Sequence, residues 1–148
     1  MKRLTAAGDR FHQARDLASV LDAACDAFEE ILSVIGGFED ASDVVDVPLL
    51  LAATQAANGR DAVLFAPCLP PRRLHQPQQA GEEPQRGSAQ DIPAAVAKLS
   101  MLLGARLAHT AGTMAAGADR AACQDAARYA RAIHDLLTGA GAGAGAGP

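Results

Sequence analysis

The sequence contains no tryptophan, one tyrosine and four phenylalanines among its 148 residues. Sheets are enriched in aromatic and β-branched side chains, whereas alanine supplies much of the 49% apolar content of this chain. Alanine has the highest helix propensity of all residues. The composition therefore predicts an all-α protein whose core is built from leucine, isoleucine and valine and from close contacts between helices.

Basic residues are too few for a nucleic-acid-binding protein. Thirteen lysines and arginines stand against 17 aspartates and glutamates, a formal net charge of −4. Because neutralising phosphates requires a dense basic face, no nucleic-acid partner is expected. The charge is unevenly distributed: residues 1–46 carry four basic and ten acidic side chains, and residues 92–148 carry five basic and three acidic ones.

Long apolar runs and secretion signals are also missing. The longest apolar stretch, VPLLLAATQAA, is about half of the ~20 residues that a membrane span needs, and no apolar region follows Lys2 and Arg3. The cysteines, Cys25, Cys68 and Cys123, lack the spacing of a disulfide framework or a zinc site. These features predict a cytoplasmic protein with no membrane partner. The excess of Ala, Gly, Arg, Asp and Pro is typical of a GC-rich bacterial genome.

Helical periodicity defines the predicted elements. Apolar residues recur at steps of three and four from Phe11 to Ile35, which predicts one helix over residues 4–35, about 48 Å long at ~1.5 Å per residue, ended by Gly36 and Gly37. Further helices are expected over residues 47–58, 92–116 and 119–138, with a short helical turn over 60–66. A β-hairpin at residues 58–59 is the alternative, but the preceding residues do not alternate as a strand should.

Two segments lack any apolar period. Residues 67–90 are rich in proline, glutamine and charge, and burial there cannot offset the entropy lost on ordering, so a disordered linker is expected. Residues 139–148 form a Gly-Ala tail that is also expected to be disordered. The prediction for residues 1–138 is a single domain, an elongated helical bundle of three long helices and one shorter helix.

The segment QDAARYARAIHDLL, residues 124–137, has the composition of a site. At ~100° per residue, Tyr129 shares the core-facing side of the helix, whereas His134 lies about 140° away, so one helix cannot bring both to a substrate. Three charged residues form a polar face that is exposed to solvent or meets an acidic partner: Arg128, Arg131 and Asp135. Acidic side chains of the first helix are candidates for that partner within the same chain.

A second stripe on the same helix indicates burial on two sides. It consists mainly of small residues, which permit close backbone approach: Cys123, Ala127, Ala130, His134 and Leu137. If the chain supplies only one neighbouring helix, a second copy supplies the other. The leading hypothesis is therefore a non-enzymatic interaction protein that self-associates, or binds another protein, through apolar helix faces.

A ligand-binding bundle is the alternative hypothesis. Its apolar pocket would lie between the first, third and fourth predicted helices, with polar access from Arg106, His109 or Tyr129. The four histidines lie on separate segments, and neither GxSxG nor a phosphate-binding loop is present, so no catalytic residue, metal or cofactor is expected. Residues 67–72 fit the PxxPxR pattern of polyproline ligands, but a stiff spacer is the favoured interpretation.

Overall fold

The computed structural model describes residues 2–72 and 91–139. All regular secondary structure in these ranges is helical, which confirms the all-α prediction. The five helices are α1 (Lys2–Gln13), α2 (Leu17–Ala41), α3 (Val47–Leu64), α4 (Asp91–Gly112) and α5 (Ala118–Thr138). The prediction of three long helices and one shorter helix is therefore wrong. Residues 73–90 of the predicted linker and 140–148 of the predicted tail lie outside the described residues.

The predicted first helix is divided into two. The chain leaves α1 after Gln13, and Asp16 caps α2 by accepting a 2.8 Å hydrogen bond from the backbone N–H of Ser19. That hydrogen bond lowers the pKa of Asp16 from its ordinary value. An aspartate that satisfies a first-turn N–H favours a helix start, so the break between α1 and α2 has a local cause.

Helices α1 and α2 form an antiparallel hairpin. Arg3 near the start of α1 pairs with Glu30 at 3.5 Å, and Arg10 near its end lies 4.0 Å from Asp26. The residue nearer the end of α1 thus contacts the residue nearer the start of α2, as expected for two helices that run in opposite directions. The predicted helix of about 48 Å is therefore wrong, because its first third, which lies in α1, folds back against α2.

Glycines inside the sequence do not end the helices that they were expected to end. Helix α2 continues through Gly36 and Gly37 to Ala41, because Phe38 in the following turn packs against the core. Helix α3 likewise continues through Gly59 to Leu64, so the predicted end at residue 58, the separate turn over 60–66 and the hairpin alternative are all corrected. A helix interior tolerates glycine when neighbouring side chains pack well.

The C-terminal helices match their predicted bounds more closely. Helix α4 ends at Gly112, four residues before the predicted end, because Thr113 and Met114 form tight turns to the carbonyls of residues 110 and 111. Helix α5 ends at Thr138 and is capped by Gly139, whose φ of 72° is a left-handed conformation that glycine adopts without strain.

The helices share one apolar core to which each of them contributes. Helix α5 packs against both α3 and α4, α3 packs against α2, and α1 and α2 pack against α4. The largest fully buried side chains include Phe11, Phe28 and Ile133. Within residues 2–72 and 91–139, no helix combines the length and the apolar character needed to cross a membrane.

Candidate functional site

The small-residue stripe of α5 is an internal contact of the chain. Cys123, Ala127 and Ala130 are buried, and Leu137 packs against the core while His134 stays partly exposed. A Cβ added to Gly104 of α4 would lie 3.5 Å from the carbonyl oxygen of residue 127 and 3.7 Å from the Cβ of residue 130. Since α3 and α4 both cover α5, the expectation that a second copy covers this stripe is corrected.

The predicted polar face of α5 lies at the surface. Arg128, which is 76% exposed, pairs with Asp125 at 3.0 Å, and Asp135 lies 3.3 Å from the ring of its neighbour His134. Arg128 and Arg131 also line a cleft of about 300 Å³ between α4 and α5. The remaining lining residues are Ala108, Ala111, Gly112, Gln124 and Ala127.

The three residues proposed for a ligand pocket do not line this cleft. Arg106 donates hydrogen bonds to the backbone carbonyls of Phe11 and Ala14, and its guanidinium lies 5.1 Å from the centre of the Phe11 ring. Arg106 therefore binds the C-terminal end of α1, where carbonyls lack helical partners. His109 is exposed in the last turn of α4, and Tyr129 is half-buried.

Residues 66–72 form a strap that crosses the surface after α3. The guanidinium of Arg72 donates to the backbone oxygen and carboxylate of Asp22 at 3.1 and 2.8 Å, and also to the carboxylate of Asp26. The carboxylate of Glu29 lies 3.5 Å away. Arg72 is only 15% exposed and therefore cannot serve a PxxPxR ligand in this conformation. The acidic side chains of α2 therefore bind this strap, whereas they were expected to bind the polar face of α5.

The strap is also bound to α5. The backbone N–H of Cys68 donates a 2.9 Å hydrogen bond to the carboxylate of Asp119, and Leu69 packs against the core. Asp119 therefore binds the strap instead of capping α5, whose N-cap is Gly117. The prediction of a disordered linker is corrected for residues 67–72. The composition of this segment predicts disorder, but Arg72, Cys68 and Leu69 each contact residues that are distant in the sequence, and these contacts hold it in place.

The three cysteines are free thiols in different surroundings. Burial raises the pKa of Cys25 to about 12 and also raises that of Cys123. Cys68 is exposed, and its hydrogen bond to the Asp119 carboxylate raises its pKa as well. Because the thiolate is the reactive form, none of the three has the depressed pKa of a catalytic cysteine.

Thiol labelling of the native protein should therefore modify one cysteine, Cys68. A pKa of about 12 leaves roughly one Cys25 side chain in 10⁴ ionised at pH 8. Replacing Asp119 with asparagine should speed the labelling of Cys68, because the substitution removes the carboxylate whose hydrogen bond and charge raise the pKa of Cys68. Mass spectrometry after timed alkylation measures both effects. Equal labelling of Cys25 and Cys68 would contradict this assignment.

The chain exposes a cluster of large apolar side chains where α2 leads into α3. They are between 40% and 75% exposed and together are called the α3 apolar surface: Val44, Val45, Val47, Leu50 and Leu51. The spacing of Val47, Leu50 and Leu51 places them on one side of α3. The opposite side of α3 is buried through Leu49, Ala52, Ala56 and Val63. Helix α3 is thus apolar on both sides, although only one faces the core.

Sequence reasoning missed this surface, although a signal was present. Leu49, Leu50 and Leu51 are consecutive, and three consecutive helical residues span ~200°, so they cannot all face one core. Val44 and Val45 lie between Asp43 and Asp46 in the connection before α3, where two adjacent apolar residues have no core to face. Contiguous exposed apolar residues of this kind mark interaction sites.

Comparison with protein-family models, with curated proteins and with solved structures found no match to this chain. Among the described residues, no three His, Cys, Asp or Glu side chains are grouped so that they could hold a metal ion. Among the described residues, exposed apolar side chains lie at both ends of α3, as the α3 apolar surface at its start and as Leu64 and Phe65 at its end. The α4–α5 cleft presents two arginines.

Proposed function

We propose that the protein is a non-enzymatic interaction protein that self-associates through the α3 apolar surface. The observation that carries the proposal is the exposure of five large aliphatic side chains within eight residues of the chain. Burying such side chains contributes about 25 cal/mol per Å² of apolar surface removed from water. A second copy is the proposed partner because acidic residues flank the exposed valines, whereas arginines line the α4–α5 cleft of the same chain.

The proposed contact between copies lies on α3 and not on the small-residue stripe of α5. The small residues of α5 are covered by α4, whereas the side chains of α3 that face outwards have no cover within the described residues. A ligand-binding role has less support, because Arg106 is bound to carbonyls of α1. A reducing cytoplasmic location is part of the proposal and is consistent with three free thiols.

Replacing Leu51 with glutamate should abolish self-association at concentrations where the wild-type protein associates. A charge placed in a desolvated apolar contact typically weakens binding by about tenfold or more. Light scattering after size exclusion, over a roughly hundredfold range of protein concentration, measures the change in mass.

The matched control is Met101→Glu, which places the same charge at a 58% exposed apolar position on α4. This variant should associate like the wild type, and circular dichroism should show both variants folded. A wild-type protein that stays monomeric at every concentration, or equal loss of association in both variants, would overturn the proposal.

A further inference from the structure

We propose that the α3 apolar surface of one copy docks into the α4–α5 cleft of a second copy, so that copies associate head to tail. This inference rests on the proposed function and identifies the surface that the partner copy contributes. Three features of the two surfaces carry it: their charge, the small residues that line the cleft and the absence of symmetry between them.

The charges of the two surfaces are complementary. Val44 and Val45 lie between Asp43 and Asp46, and Asp40 precedes them, so the exposed valines lie within an acidic segment. The cleft is lined by two arginines and no acidic residue, although Asp125 outside the lining pairs with Arg128. An apolar segment with flanking carboxylates therefore faces a cleft with flanking guanidinium groups, an arrangement that favours the correct pairing of surfaces.

The walls of the cleft suit an aliphatic side chain. Apart from the two arginines and Gln124, every lining residue is alanine or glycine. Small walls let an incoming side chain approach the backbones of α4 and α5 closely. The volume of about 300 Å³ lies at the lower end of the range for binding pockets, which is appropriate for one or two valines.

The contact is heterologous, because the two surfaces differ. A heterologous contact leaves one surface unused on each terminal copy, so association continues until a ring closes or an open chain forms. A symmetric contact between two α3 surfaces would stop at two copies. The mass at high concentration therefore separates the two arrangements, and the wild-type protein should exceed the mass of two chains.

A mixing experiment tests the inference with two variants. The first variant, Arg128→Glu with Arg131→Glu, has an altered cleft and an intact α3 apolar surface. The second variant, Leu51→Glu, has an intact cleft and an altered α3 apolar surface, whose new carboxylate is repelled by the glutamates of the first variant. Each variant alone should remain monomeric in light scattering. An equimolar mixture should form a complex of two chains, because one intact α3 surface meets one intact cleft and neither product can extend further. Raising the ionic strength should weaken this complex.

The matched control is Arg15→Glu with Lys98→Glu, which changes the net charge equally at exposed positions away from the cleft and should associate like the wild type. If the cleft variant alone associates like the wild type, the head-to-tail contact is wrong while self-association through α3 stands. If the mixture remains monomeric, the inference also fails. If the wild-type protein never associates, the proposed function itself fails.

Discussion

Replacing Gly59 with alanine is expected to lower the free energy of unfolding by about 3 kcal/mol, the upper part of the usual range for an overpacked core. The added Cβ would lie 2.5 Å from Cε1 and 2.6 Å from Cζ of Phe28. Phe28 is fully buried, so its ring can move away only by displacing neighbouring core side chains. Helix propensity alone would favour alanine by ~1 kcal/mol, so steric overlap must reverse the sign of that effect.

Gly36→Ala is the matched control for this prediction. Gly36 also lies inside a helix, but nothing lies within 4 Å of the position that its Cβ would take. This substitution should raise the stability by about 0.5–1 kcal/mol. Urea unfolding followed by circular dichroism measures both free energies.

A double-mutant cycle tests the cause of the destabilisation. Phe28→Leu should be less harmful in the Gly59→Ala protein than in the wild type, because the smaller side chain makes room for the new methyl group. If Gly59→Ala and Gly36→Ala change the free energy of unfolding by the same amount, the close contact between Gly59 and Phe28 does not limit stability.

Local signals in the sequence locate several helix ends. Asp46 accepts a hydrogen bond from the backbone N–H of Leu49, Pro48 lies in the first turn of α3, and Gly139 ends α5. Each of these features acts within a few residues, so the sequence contains all the information needed.

Features of the fold that depend on residues distant in the sequence could not be predicted from such local signals. The apolar period continues from Phe11 through Ala14 to Leu21 across the α1–α2 break, because both helices bury their apolar sides in the same core. Periodicity therefore cannot distinguish one long helix from a hairpin. Gly59 resembles a helix end in the sequence, yet it lies in mid-helix because Phe28 needs the space.

The candidate site was less predictable than the fold. The second apolar side of α5 was recognised correctly, but its cover is α4 within the chain rather than another copy. Which helix covers a stripe depends on the packing order, and that order is not encoded in the periodicity of one helix. Arg128 and Arg131 remain candidates because they line the cleft, whereas Asp135, the third residue of the predicted polar face, lies next to the ring of His134.

Replacing Arg72 with alanine is expected to destabilise the protein by about 2 kcal/mol. The substitution leaves the carboxylates of Asp22, Asp26 and Glu29 close together without the cation that they share. Removing one partner of a fully buried ion pair costs about 3–5 kcal/mol, and the smaller figure here reflects the access of water to Asp22 and Glu29. Urea unfolding measures the loss.

Two further variants separate the role of Arg72 from a general effect of charge. Arg128→Ala removes an exposed arginine from its pair with Asp125 and should change the stability by no more than about 0.5 kcal/mol. Asp26→Asn should be less destabilising in the Arg72→Ala protein than in the wild type, because it then removes a charge that has lost its main partner.

Since Arg72 joins the strap to α2, its loss should also release residues 66–72, and the backbone N–H of Cys68 should then exchange its hydrogen faster with solvent. An Arg72→Ala protein as stable as Arg128→Ala would mean that the strap rests on Leu69 and Asp119 alone.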